Sequence, residues 1–135
     1  MEYRYIKEFT IEQLEELFLS VDWFSGKYPE KLQIAMRNSP TVISAWDGEQ
    51  LAGLIRGFDD GAWQATIDCL LVNPRYQGQG VASTLLRLIM EKYKDLLYVE
   101  VVPDEKRNVG FYEKHGFKIM EDGTPMITVN PGWKR

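Results

Sequence analysis

The sequence predicts a three-layer α/β fold, with strands through the middle and helices on both flanks. Three observations predict it. Strand-like runs fill residues 41–72 and return at 96–102. Amphipathic helical patterns precede the first run and follow it. Between the two runs, an apolar strand (Ile67, Cys69, Leu70, Leu71, Val72) feeds a short glycine loop that opens a strongly patterned helix.

Residues 3–7 alternate and predict a strand. Thr10 with Gln13 is a capping-box signal for a helix turning Ile11, Leu14, Leu17 and Phe18 inward. Gly26 and Pro29 break the pattern among the aromatics Trp23, Phe24 and Tyr28. A second helix over 30–37 carries Leu32, Ile34, Ala35 and Met36, and Asn38-Ser39-Pro40 ends it, because the residue before proline avoids helical geometry. Residues 41–46 and 51–58 form a hairpin about Asp47-Gly48. Asp59-Asp60-Gly61 turns the chain into a third antiparallel strand, 63–72. In the helix beyond the glycine loop, Val81, Leu85, Ile89 and Tyr93 recur every four residues, with Ala82, Leu86 and Met90 as a neighbouring row. Residues 96–102 alternate Leu97, Val99 and Val101 against Tyr98, Glu100 and Val102. A short helix over 104–114 stops at Gly116. Residues 117–120 and 126–129 predict a terminal strand pair around Asp122-Gly123-Thr124-Pro125.

At 135 residues the chain reads as a single domain, 1–135, large enough to bury about two-thirds of its unfolded surface. No apolar run approaches the roughly 20 residues of a membrane span, and MEYRYIKEF lacks a signal-peptide core. Cys69 is the only cysteine, so no internal disulfide forms, which fits a reducing cytoplasm. One cysteine and one histidine argue against a His/Cys zinc site, and no metal is expected. A net charge of −4 argues against general nucleic-acid binding and is compatible with a cationic acceptor such as an amine.

The stretch VNPRYQGQGVAS, Val72 to Ser83, concentrates the chemistry. Gly78 and Gly80 sit where a bare backbone can approach a ligand. The first N–H groups of the following helix have no internal partners, and the helix dipole adds positive potential there. That geometry suits a phosphate or pyrophosphate. A P-loop would follow Gly80 with lysine, and Val81 stands there. A dinucleotide fold would place a third glycine where Ser83 stands.

The pattern Gln77-x-x-Gly80-x-Ala82 resembles the Gln/Arg-x-x-Gly-x-Gly/Ala signature of the GNAT superfamily of acyl-CoA-dependent N-acetyltransferases. The preceding Leu70-Leu71-Val72-Asn73-Pro74, the following Leu85-Leu86, and the block Phe111-Tyr112-Glu113-Lys114-His115-Gly116-Phe117 strengthen the resemblance. It is best from Pro40 to Phe117. The resemblance implies a mixed, mostly antiparallel central sheet, splayed around the acyl-CoA site between the strand ending at Val72 and the strand 96–102.

The resemblance assigns Gln77, Gly78, Gln79, Gly80, Val81, Ala82 and Ser83 to the pyrophosphate of acetyl-CoA. It assigns the backbone of Leu70, Leu71 and Val72 to the pantetheine arm, with one N–H near Leu70 polarising the thioester carbonyl. Tyr112 takes the place of the family's catalytic tyrosine, a general acid for the leaving thiolate. Glu100 on its apolar strand is the first choice of base for the amine, Asp68 the second, and a water chain a third. Many members carry asparagine seven residues before the tyrosine; here Glu105 stands there, and Asn108 is not its substitute. Lys106 and Arg107 read equally as phosphate contacts or as a solvated helix end. Trp23, Phe24, Tyr28, Trp46, Phe58 and Trp63 are candidates for an acceptor pocket, each read first as core. Asp59 and Asp60 read as a solvated turn, and His115 and Cys69 are given no catalytic role.

The leading expectation is transfer of an acetyl group from acetyl-CoA to a primary amine, on a small molecule or a peptide, by direct attack in a ternary complex. The alternative is a non-catalytic acyl-CoA-binding sensor or scaffold of the same fold. A nucleotide-binding Rossmann protein is a third reading. The residues 126–133 offer an exposed edge for a homodimer.

Overall fold

A computed structural model of the chain describes residues 1–133. The chain divides into two compact parts, Met1–Val101 and the segment from Val102 onward. The first part is built on one five-stranded sheet whose spatial order follows the chain. Strands β1 (Glu2–Arg4), β2 (Thr41–Asp47), β3 (Gln50–Asp59) and β4 (Gln64–Val72) pair antiparallel in succession. Strand β5 (Tyr98–Val101) pairs parallel to β4. A parallel pair needs a long crossover connection, and helix α3 (Val81–Lys92) lies within it. The arrangement is the mixed, mostly antiparallel sheet that the resemblance implies.

Helices cover both faces. Helix α1 (Ile11–Ser20) starts with the expected reciprocal cap. The Gln13 N–H donates to Thr10 Oγ1 at 3.1 Å, and the Thr10 N–H donates to Gln13 Oε1 at 2.9 Å. Leu14, Leu17 and Phe18 of α1 join Leu32 and Met36 of α2 (Pro29–Arg37) in one apolar cluster with Val42, Trp46, Leu51, Leu54 and Leu71 of the sheet. Side chains alternate along a strand, so Gly57 falls on the opposite face, against α3. A Cβ at Gly57 would run into Tyr93 Oη and lie 3.0 Å from Ile89 Cδ1. The Tyr93 hydroxyl donates to Asp59 Oδ1 at 3.3 Å, and burial pushes its phenol above the ordinary range. Gly57→Ala should therefore destabilise the protein by about 1–3 kcal/mol through overpacking. Adding Tyr93→Phe should recover part of that loss, which denaturant unfolding of the single and double variants measures.

Several elements are shorter than the pattern suggests. The first strand ends at Arg4, where its pairing with Ser44 ends. Strand β5 begins only at Tyr98, because the Leu96 N–H closes on the Tyr93 carbonyl and the Leu97 N–H on the Trp63 carbonyl, at 3.0 and 2.9 Å. In the second part, the expected helix over 104–114 is a 3₁₀ turn, Lys106–Asn108, followed by helix α4 (Val109–Lys114). Glu105 stays extended at φ −130°, ψ 137°.

The expected terminal strand pair does not form. Residues 117–120 and 126–129 carry no strand, and Ile119, Met120, Met126 and Ile127 are exposed. Each run is only four residues long, Pro125 has no N–H to donate, and an isolated two-stranded hairpin is marginal in water. No helix among the described residues is long and apolar enough to cross a membrane.

Candidate active site

Helix α3 begins unlike α1. Its N-cap is Gly80, in the left-handed region at φ 80°, ψ 11°, and no side chain caps it. Glycine supplies that conformation without strain but has no oxygen to return to the helix. The ladder starts with the Thr84 N–H on the Gly80 carbonyl at 3.0 Å, which leaves the N–H groups of Val81, Ala82 and Ser83 ahead of it. Gly78 is also left-handed at φ 77°, and a Cβ on either glycine would meet nothing within 4 Å. Space is therefore open beside both glycines of the loop.

Side chains around the loop hold it in place. The Gln77 amide donates to the Val72 carbonyl at 2.9 Å, so Gln77 is occupied in closing the loop. Asn73 Oδ1 accepts the Arg75 N–H at 2.9 Å, which starts the short 3₁₀ turn Pro74–Tyr76. The buried Tyr76 hydroxyl donates to Asp47 Oδ2 at 2.8 Å, tying this turn to the end of β2. Gln79 reaches only the Arg75 carbonyl, at 3.5 Å.

The strand feeding this loop carries a defect that the sequence did not announce. Leu54 faces Leu71 across the β3–β4 ladder and Arg56 faces Asp68, so two steps along β3 span three along β4. The extra residue is a β-bulge, and Cys69 within it sits at φ 54°. A non-glycine residue in the left-handed region costs on the order of 1–3 kcal/mol and persists only where its surroundings fix it. The last β4–β5 rung is Ile67 with Val101. No further β4–β5 rung follows it among the described residues. Leu71 and Val72 bury their side chains and Leu70 is half-buried. The bulge thus lies just past the last β4–β5 rung.

The two acids considered as bases share one face here. Thr66 stands opposite Glu100, and Asp68 lies two residues further along β4. Asp68 is taken by Arg56, whose Nη2 donates to Asp68 Oδ2 at 2.6 Å. Glu100 is half-buried, and no ion pair engages it among the described residues.

Tyr112 belongs to the second part and is held there by local chemistry. Gly116, at φ 91°, ends α4: its N–H donates to the Glu113 carbonyl and the Phe117 N–H to the Tyr112 carbonyl, both at 3.1 Å. This two-bond cap brings Phe117 against the last turn. The Tyr112 ring meets Phe117 edge-on at 5.7 Å and Phe111 at 5.2 Å. His115 Nδ1 lies 2.9 Å from the Phe111 carbonyl. Glu105 forms an ion pair with Arg107, and both are exposed.

The pocket aromatics divide. Trp46 is core: it is buried, stacked on Phe9, and its Nε1 donates to Ser44 Oγ at 2.8 Å. Trp23 packs edge-on against Phe18, and Phe24 against Tyr28. Phe58 and Trp63 are exposed; Phe58 lies beneath the Arg56 guanidinium and Trp63 meets Tyr98 edge-on. Asp60 Oδ1 accepts the N–H groups of Ala62, Trp63 and Gln64, which lower its carboxyl below the ordinary range, so it builds the β3–β4 turn. Asp59 is shared by the Thr41 and Tyr93 hydroxyls.

The acetyltransferase (GNAT) family profile matches residues 8–117. An uncharacterised N-acetyltransferase of Pyropia yezoensis, ycf52, is 30% identical over 127 residues, covering 87% of this chain and 70% of that protein. A GNAT-family acetyltransferase structure from Streptococcus pneumoniae superposes with TM-score 0.81 at 30% identity, covering 97% of this chain and 98% of the other. An aminoglycoside 6′-N-acetyltransferase solved with coenzyme A shares the fold at TM-score 0.58 and 16% identity, over 70% of this chain and 56% of the other. With its profile matched across most of its length, the chain belongs to the GNAT acetyltransferase family.

Proposed function

We propose that the protein transfers an acetyl group from acetyl-CoA to a primary amine by direct attack. The observation that carries this reading is the uncapped start of α3 together with the bulged end of β4, which lies past the last β5 rung. The main-chain N–H groups of Gly78 to Ser83 would take the pyrophosphate. The β4 backbone at Leu70, Leu71 and Val72 would take the pantetheine arm, as a ladder partner takes a strand. One N–H of the bulge would donate to the thioester oxygen as it gains charge, a contribution of about 10²–10³ in rate where such donors have been removed.

An amine resembling lysine has a pKa of about 10.4 and must lose a proton before it attacks. Glu100 is the assigned base, acting directly or through water, because Asp68 is already engaged by Arg56. The amine nitrogen forms the new bond to the acyl carbon, the carbon–sulfur bond breaks, Tyr112 gives its phenolic proton to the departing thiolate, and the second proton of the attacking nitrogen passes through water to the phenolate as the amide forms. No metal takes part in this scheme. The acceptor is a small-molecule or peptide amine.

The test is release of free thiol from acetyl-CoA across a panel of amines, peptides included. Amine-dependent thiol release and an acetylated product are expected. Coenzyme A binding without release for any amine would overturn catalysis in favour of an acyl-CoA sensor.

A further inference from the structure

We infer that Arg56 is a positioning residue that aims the β4 bulge by acting through Asp68. The inference rests on the acetyltransferase reading above. Asp68 is the last β4 residue before the bulge and the first beyond the final β5 rung. It therefore stands at the fork where β4 loses one neighbour. No β5 rung follows it among the described residues; toward β3 its side chain is tied by the 2.6 Å bond from Arg56. Charge-assisted bonds of this kind are short and directional.

Arg56 is itself well fixed. Its side chain is only 15% exposed, against 48% for Asp68. Its guanidinium carbon lies 4.8 Å from the centre of the Phe58 ring. Cys69 follows Asp68 in the left-handed region. The bulge puts three steps of β4 against two of β3, and the Arg56–Asp68 pair fixes the register at its foot from the β3 side. The N–H groups just above it are the ones assigned to the thioester oxygen. Because a misplacement of about 1 Å at such a donor costs on the order of 10²-fold in rate, the foot of the bulge is a sensitive place to anchor.

Steady-state kinetics and coenzyme A titration of Arg56→Met, Arg56→Lys, Asp68→Asn and the Arg56→Met/Asp68→Asn double variant test this. A positioning role predicts that kcat falls about 10-fold or more in Arg56→Met and in Asp68→Asn. Both KM values and the coenzyme A affinity should stay within about twofold, because an interaction realised only in the transition state lowers kcat alone. The double variant should be no slower than the worse single one, since both break one link. Arg56→Lys should restore part of the rate, keeping the charge but losing the planar fork.

Unchanged kcat in folded variants with lowered melting points would overturn the inference and make the pair structural. A raised amine KM with unchanged kcat would also overturn it, making Arg56 an acceptor contact. Asp68→Asn, nearly isosteric and half-exposed, carries the test if Arg56→Met does not fold. If the unsubstituted protein releases no thiol with any amine, the acetyltransferase reading fails instead, which separates the two failures.

Discussion

Gly80→Ala should weaken coenzyme A binding about 100-fold while leaving the protein folded. The substitution acts in two separable ways. Its first effect is backbone strain: Gly80 sits at φ 80°, where an added Cβ costs roughly 1–2 kcal/mol, a loss of a few degrees in melting point for a chain of this size. The second is steric. A Cβ at Gly80 has only open space around it beyond its chain neighbours, and on the proposed reading the phosphate would occupy that space. A phosphate pushed off the α3 donors loses charge-assisted bonds, each about 1.5–3 kcal/mol, and every 1.4 kcal/mol is tenfold in affinity. Gly61→Ala separates the two effects. Gly61 is also left-handed, at φ 77°, but lies in the β3–β4 turn at the other end of β4. Calorimetric titration with coenzyme A should show Gly61→Ala binding like the parent, with a similar drop in melting point. Equal affinities for the two variants would remove the start of α3 from the binding site.

The loop was legible because its signal is local. Strand, glycines and an amphipathic helix follow one another in sequence, and the missing cap at Gly80 is visible in the residue itself. The α1 start was legible for the same reason, through Thr10 and Gln13. The bulge was not. Cys69, Leu70, Leu71 and Val72 form an unbroken apolar run, and an extra residue in such a run leaves no period to disturb. The Arg56–Asp68 pair was hidden with it, because which residue faces Arg56 depends on the register below the bulge. The terminal pair expected at 117–120 and 126–129 around the 122–125 turn was an error: neither run is a strand among the described residues. Periodicity reports that a segment could serve as a strand; a neighbour decides whether it does. Trp46, weighed as a pocket residue, is core because its Nε1 finds Ser44 Oγ within its own strand.

Tyr112→Phe should lower kcat by about 10²–10³, within the range general-acid catalysis supplies, with little change in the KM for acetyl-CoA. The substitution removes one hydroxyl from a ring whose place is fixed by its neighbours. Phe111 and Phe117 meet it edge-on, and the Gly116 cap that brings Phe117 there uses backbone bonds alone. Phenylalanine keeps those contacts, so the melting point should fall by only a few degrees. Loss of rate without loss of binding would then report the missing proton donor, because an interaction made only as the carbon–sulfur bond breaks cannot alter ground-state affinity. Phe117→Ala is the complementary variant. It keeps the hydroxyl but removes one wall of the ring's seat, and it should lower kcat less than Tyr112→Phe while lowering the melting point more. If Tyr112→Phe instead keeps a kcat within about threefold of the parent, the thiolate takes its proton from water, and Tyr112 serves packing alone.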